Sequence, residues 1–350
     1  MRTAKIVRKV IDALASDKHV SKLQEAVCEE CIAWCHKEKR TFLRHRVEIR
    51  LAMLYLEGGN YQKSLDIIQG LHKEVKKLDD KLLLVEILVV EAKINISLTN
   101  IPKAKVSLTA AKSNANAIHC PFLLQSEIDM ISGIINAQEK DFKTAFSYFN
   151  EAFESLHQNN EKERARLALK YMLLSKIMSE QTKEVEQIGA SKIVAMEYAG
   201  KNTTEALLAI AKAQKSRSVE NFENVVLKYS SEINADPVIS FHIRSLNERL
   251  IEQNLLRIVE PYSRVEIDYV AAWLKLPVER VQSKLADMIL DKKLNGTLDQ
   301  GIGVLILFAN EEFGTLYSDL LETIENTSQC VESLFEKSKT ISALPPVVAK

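Results

Sequence analysis

NYQKSL at 60–65, NIPKAK at 100–105 and DFKTAF at 141–146 share one pattern: Asn or Asp, a large apolar residue, and a small residue three positions after it. Tyr61, Ile101 and Phe142 lie 40 and 41 residues apart. The pattern reads as a helix start. The Asn or Asp side chain can accept the first orphan N–H groups, the apolar residue anchors the inner face, and the small residue lets a neighbouring helix approach. Leu51 to Leu56, Leu82 to Leu98 and Ile128 to Ala137 precede the three copies with apolar residues at helical spacing, so each unit is helix, short turn, helix. That is the unit of an α-solenoid, with a period longer than the 34 residues of a tetratricopeptide repeat and close to the armadillo and HEAT range. Phe222 falls two periods beyond Phe142, but Gln181 and Thr182 at the intervening position offer no aromatic. The sequence therefore supports three units, with further helices expected over Arg164–Ser179 and Thr204–Lys215.

The pattern changes after Pro237. Arg244–Val259 predicts a long amphipathic helix stopped by Pro261, Ile267–Leu274 a short one, and Val278–Leu290 a third with Val281, Leu285, Met288 and Ile289 on one face. The period then drops to two. Leu294–Leu298 and the apolar run Val304–Phe308 flank a turn through Asp299 to Gly303, which is a β-hairpin. Three helices followed by a hairpin make a winged helix. From Glu311 to Lys339 the apolar residues Phe313, Tyr317, Leu320, Ile324, Val331 and Leu334 recur at heptad spacing, with Thr327 at the missing position.

Composition restricts function. Ten Gly and seven Pro in 350 residues are too few for a turn-dense all-β fold. Lys and Arg total 47, as do Asp and Glu, so no global field draws in phosphate backbones. Five cysteines, an odd number in a long chain, fit a reducing compartment better than a disulfide scaffold. Arg2, Lys5, Arg8 and Lys9 interrupt the apolar residues near the N-terminus, leaving no signal-peptide core, and Asp12 and Asp17 favour a first helix there. The longest apolar stretch, Leu82 to Val90, is broken by Glu86 and is far shorter than the roughly 20 residues of a membrane span. A soluble protein is expected.

Catalytic signatures are missing: no H-E-x-x-H, P-loop, G-x-S-x-G or G-x-G-x-x-G occurs. Cys28, Cys31 and Cys35 share a helix face, with His36 next to them in sequence, yet no second ligand pair exists elsewhere, so burial as small hydrophobes is expected rather than zinc binding. No cofactor is expected. Nucleic-acid binding by the winged helix is disfavoured, because the outer face of its third helix carries Arg280 and Lys284 and then Asp287 and Asp291, basic then acidic at helical spacing, which suits internal pairing, and Lys292 and Lys293 read as a solvated helix end. Two surfaces are left for partners. Val304, Leu305, Ile306, Leu307 and Phe308 form an apolar run without alternation, to be covered by the C-terminal helix or paired by a neighbouring chain. Leu320, Ile324, Val331 and Leu334 form a seam that can fold back or engage partner helices.

EQNLLRIVEPYSRVEIDYVA (252–271) and MILDKKLNGTLDQGIGVLILF (288–308) resemble the winged-helix half of a PCI domain, the module shared by proteasome, signalosome and initiation-factor subunits. Ser113–Glu154 and LKYMLLSKIM (169–178) are similar to the proteasome non-ATPase regulatory subunit 11 family, and the likeness runs from about Lys5 to the end of the last helix. The resemblance implies a mostly α fold. A right-handed α-solenoid of TPR-like helix pairs is expected over 1–190 and a PCI domain over 191–310, with its helical part at 191–243 and winged helix at 244–310. A C-terminal bundle helix at 311–340 and a flexible tail at 341–350 would follow. It also implies a non-catalytic scaffold of the regulatory-particle lid, in cytoplasm and nucleus, acting in ubiquitin-dependent degradation. Val304–Phe308 would face a neighbouring lid subunit of PCI or MPN type, and Leu320, Ile324, Val331 and Leu334 would enter a helical bundle. The arm would brace the lid against the ATPase ring and the core-particle α-ring. Family members usually have further N-terminal repeats, and this chain starts where they would be well inside the solenoid. A subunit of the signalosome or of a translation initiation factor, or a winged-helix nucleic-acid binder, is the alternative reading.

Overall fold

Helices follow one another at a fixed interval in the computed structural model, which describes residues 21–191, 202–234, 236–299, 301–308 and 313–342. The first ten are α1 (Ser21–Lys37), α2 (Thr41–Glu57), α3 (Tyr61–Leu78), α4 (Lys81–Ser97), α5 (Ile101–Asn116), α6 (Phe122–Gln138), α7 (Phe142–Gln158), α8 (Lys162–Met178), α9 (Thr182–Ala190) and α10 (Asn202–Lys215). Each starts 20 or 21 residues after the one before, half the sequence period. The turns repeat as well. Lys39, Gly59, Thr99, Lys140, Asn160 and Glu180 all have positive φ, and the next residue donates its N–H to the carbonyl five residues back, as in Asn60 to Tyr55, Asn100 to Asn95 and Asp141 to Asn136. This is a Schellman-type ending, which reverses the chain with a single left-handed residue. Glycine fills that position only at Gly59 in this set, so the low glycine content hides the turns.

Starts at Tyr61, Ile101 and Phe142 agree with the sequence pattern. Asn100 and Asp141 accept from the Lys103 and Thr144 N–H groups as caps, whereas Asn60 makes no such bond. Ser64, Ala104 and Ala145, the small residues of the motif, are fully buried. Ser64 satisfies its hydroxyl on the Ala52 carbonyl at 2.7 Å, which lets α3 lie close against α2. A fourth copy starts at Thr182 with the buried Val185 in the small-residue place; Thr182 stands where the other copies have a large apolar residue, so the aromatic cue understated the repeat number. Phe222 is buried but lies inside α11 (Val219–Lys228), which Ser218 caps, outside the 20-residue register.

Burial alternates along the arm. Helices α2, α4, α6 and α8 bury residues around most of their circumference, including Val85, Ile87, Leu88, Val89 and Val90 on α4, while α3, α5 and α7 bury one stripe each. An all-round apolar helix has neighbours on both sides and a one-striped helix faces water. The layers interlock at Gly133 of α6, where a Cβ would meet the Phe149 ring of α7 at 2.4 Å. Phe149 in turn contacts the Tyr171 ring of α8, centroids 5.4 Å apart, and the Tyr171 hydroxyl donates to Asp236 at 3.0 Å. Burial and the Asp236 charge push the Tyr171 phenol far above its ordinary value, so it stays a donor.

After α12 (Ser230–Asn234) comes α13 (Pro237–Val259). It starts seven residues before the expected Arg244, because proline is a good first helical residue and Asp236 accepts from the Val238 and Ser240 N–H groups. The chain divides into two compact units, Met1–Glu248 and Arg249–Lys350. In the second, β1 (Arg264–Glu266), α14 (Ile267–Leu274), α15 (Val278–Leu290), β2 (Gly296–Asp299) and β3 (Val304–Leu307) form the winged helix, and α16 (Phe313–Ser342) follows. The chain is a helical solenoid plus a winged-helix module. Three features of the sequence reading fall outside the described residues: the first helix around Asp12, the turn residue Gln300, and the tail from 343 onward. No helix among the described residues is long and apolar enough to cross a membrane.

Candidate interaction surfaces

The sheet has the order β1-β3-β2, all antiparallel, with Val265 opposite Leu305 and Leu298 opposite Leu305 on the other side. Val304–Leu307 is therefore the central strand. This corrects the expectation that a neighbouring chain pairs along it: β1, three residues long and without a readable period, already occupies one side. Gly296 permits the close β2 approach, since a Cβ there would lie 2.5 Å from the Ile306 carbonyl oxygen. Asp299 holds the turn by accepting from the Gly301 and Ile302 N–H groups.

The five residues of the run separate by burial. Val304 and Leu305 are 4% and 1% exposed and belong to the winged-helix core, so they are withdrawn as partner contacts. Leu307 is half-buried, and Ile306 and Phe308 are 40% and 56% exposed. Phe308 borders a groove of about 760 Å³ with Tyr262, Lys292, Leu294 and Leu307. Every α16 side chain between Asp319 and Lys339 is exposed, so this part of the C-terminal helix does not cover the run. Leu320, Ile324, Val331 and Leu334 are 49%, 62%, 60% and 61% exposed. Leu321 and Phe335, which the heptad reading passed over, are exposed beside them; the i+1 apolar neighbours of Leu320 and Leu334 were the available signal.

The basic groups of the third helix are engaged. Glu252 on α13 binds Lys284 at 3.0 Å and Lys293 at 2.9 Å, and Lys293 also meets Asp291 at 3.3 Å. Burial opposes the Glu252 charge, but the hydrogen bonds from Lys293 and Lys284 outweigh it and hold the carboxyl below its ordinary value. Lys293 is exposed, as a solvated helix end should be, and is ion-paired there as well. Lysines held by a carboxylate are poorly placed to neutralise phosphates.

In the first unit, Cys28 packs with Val47, Leu51, Leu54 and Tyr55. Burial pushes its thiol up to about 11, which disfavours the thiolate a metal would need. Among the described residues no cluster of His, Cys, Asp and Glu could hold a metal ion. A groove of about 450 Å³ on the arm, lined by Ile96, Met130, Ile134 and Leu167, is bordered by Glu127 bridging Lys93 and Arg164, each at 3.1 Å. No nucleophile, base and oxyanion set converges at either groove.

Comparison with known proteins agrees with this geometry. A family profile described as the 26S proteasome regulatory subunit RPN6 N-terminal domain matches residues 1–58, and the PCI domain profile matches residues 226–308. The 26S proteasome non-ATPase regulatory subunit 11 homolog of Arabidopsis thaliana is 48% identical over 340 residues, covering 97% of this chain and 80% of the relative. The Dictyostelium discoideum 26S proteasome non-ATPase regulatory subunit 11 is 45% identical, with 97% and 82% coverage. The Saccharomyces cerevisiae 26S proteasome regulatory subunit RPN6 is 38% identical, with 97% and 79% coverage. With a helical-repeat arm, a PCI winged helix, and identity of this level across nearly its whole length, the chain belongs to the 26S proteasome non-ATPase regulatory subunit 11 family.

Proposed function

We propose that the chain is a non-catalytic scaffold subunit of the proteasome regulatory-particle lid, joining lid subunits and bracing the lid toward the ATPase ring and core-particle α-ring for ubiquitin-dependent degradation. Cytoplasm and nucleus are the corresponding compartments. The observation that carries the reading is α16: a helix with seven large apolar residues from Tyr317 to Phe335, all about half exposed or more. A patch of this kind marks an interaction surface. Leu320, Ile324, Val331 and Leu334 enter the interface with partner helices, and Ile306 and Phe308 provide a second contact beside the sheet. Val304 and Leu305 support that contact from the core.

Replacing Leu320 and Ile324 with Asp tests the reading. Each Asp would be a buried, unpaired charge in the assembled complex, yet both positions are exposed in the single chain. Thermal unfolding by circular dichroism should be unchanged and co-purification with lid subunits lost. A double variant that incorporates normally would overturn the reading. Affinity purification of the parent chain should recover proteasome lid and ATPase subunits; cullin-linked or ribosomal proteins in their place would favour the signalosome or initiation-factor alternative. The nucleic-acid reading predicts binding that falls steeply with salt, and no such binding is expected.

A further inference from the structure

Helices α2, α4, α6 and α8 all contribute to the arm groove of about 450 Å³. Its walls are apolar. Ile96, Met130, Ile134 and Leu167 line it, and none of the four is fully buried. The hydroxyls in the lining are satisfied within the arm: Ser97 donates to the Lys93 carbonyl, Ser126 to the Leu123 carbonyl and Tyr171 to Asp236. Three charges remain. Lys93 on α4 and Arg164 on α8 reach Glu127 on α6 from either side, each at 3.1 Å, and neither cation bonds another carboxylate among the described residues. The row therefore carries one positive charge in excess. Arg164 is the more open end, its side chain 51% exposed against 34% for Lys93. It bonds Glu127 through Nη1, which leaves the other N–H groups of its guanidinium fork to a second carboxylate.

The walls also select the shape of an occupant. They are helices, whose backbone groups are used in their own ladders, and even at the helix ends the Leu56 and Ile96 carbonyls accept from the Gly59 and Thr99 N–H groups. An extended segment laid there would bury N–H and C=O groups without partners. A helix satisfies its own backbone, and the groove, too small for a cylinder about 10–12 Å across, takes one ridge of its side chains. We propose that the groove receives an amphipathic α-helix of a partner protein, with an apolar ridge against Met130, Ile134 and Leu167 and an Asp or Glu on Arg164. Leu167 lies three residues after Arg164 on α8, so a carboxylate and an apolar side chain one turn apart on the incoming helix meet both. Met130, unbranched and adaptable, suits a surface that repacks on contact. This docking face is separate from α16 and goes beyond the scaffold reading.

The test uses the full chain and, as probes, three amphipathic helical peptides of about 16 residues that share a Leu stripe at i, i+4, i+7 spacing and differ only in having Glu, Gln or Lys beside it. By fluorescence anisotropy the Glu peptide should bind about ten-fold more tightly than the Gln peptide and the Lys peptide more weakly still, with the difference narrowing as salt rises. Arg164→Ala should abolish the preference for Glu over Gln while leaving the Gln peptide's affinity within about two-fold of its parent value. The Met130 methyl NMR signal, assigned with Met130→Leu, should shift on binding. The proposal is overturned if the Glu peptide fails to bind at about 1 mM, if Glu and Gln peptides bind equally, if the preference survives Arg164→Ala, or if the Met130 signal does not move. A free chain that sediments as a dimer, and as a monomer after Arg164→Ala, makes a second copy the occupant and overturns it too. None of these readouts involves Leu320 or Ile324, so the scaffold reading stands or falls separately.

Discussion

Replacing Gly133 with Ala isolates how tightly the arm's layers are packed. The added methyl would lie 2.4, 2.6 and 2.7 Å from Cε1, Cζ and Cδ1 of Phe149. Ordinary carbon contacts are about 3.5–4.0 Å, so the ring has to retreat by roughly 1 Å. It has little room: Phe149 is 2% exposed and its ring already contacts Tyr171, which is tied to Asp236. Overpacking of this kind costs about 1–3 kcal/mol, against a helix-propensity gain of about 1 kcal/mol for Gly to Ala. The net expectation is a loss of up to about 2 kcal/mol, against the gain expected at an unobstructed glycine. Gly70 is the control, because its Cβ would meet nothing within 4 Å; Gly70→Ala should gain nearly the full propensity term. Urea unfolding followed by far-UV circular dichroism gives both shifts. Phe149→Leu in the Gly133→Ala background should be less than additive by about 1 kcal/mol, since the two side chains share one space. If Gly133→Ala is as stabilising as Gly70→Ala, the interlock between α6 and α7 is refuted.

Three further outcomes follow from individual groups. Burial, with Glu151 adding to it, raises the Asp129 carboxyl to about 6 against the opposing Gln125 hydrogen bond; with a folded value above the unfolded 3.8, stability falls as pH rises from about 4 to 6. Asp129→Asn should therefore be more stable than the parent at pH 7 by on the order of 2 kcal/mol, with the gap closing below about pH 4 in urea titrations. Glu252 has the opposite sign: its lowered pKa contributes stability that is present above the unfolded value of 4.5 and is lost as pH falls through the folded one. Glu252→Gln should cost the winged helix about 1–2 kcal/mol at pH 7 and little below about pH 4, measured by native-state hydrogen exchange of residues in the second unit. Thr99 has φ +58° although it is β-branched, so Thr99→Gly should raise the unfolding midpoint of the arm by the equivalent of about 0.5–1 kcal/mol.

The sequence by itself determined the features that rest on periodicity. The 40-residue spacing of Tyr61, Ile101 and Phe142 marked three helix starts, and the bounds of Ile267–Leu274 and Val278–Leu290 were legible because Pro261 and Pro277 stop the preceding pattern. The heptad of α16 was legible for the same reason, since a 3.5-residue seam is a local property. Only the tertiary structure decided what each apolar face meets. Five consecutive apolar residues at 304–308 read alike in the chain, yet β1, brought in from some forty residues away, makes their strand the central one and sends Val304 and Leu305 inward while Ile306 and Phe308 stay outside. Lys284 likewise read as pairing within its own helix, whereas its partner is Glu252 of α13, which also takes the exposed Lys293. The same limit applied to Gly133, whose purpose depends on a ring sixteen residues on and a helix away. Patterns of spacing report which way a residue points from its own backbone; the neighbour it then finds depends on chain segments whose position no local period encodes.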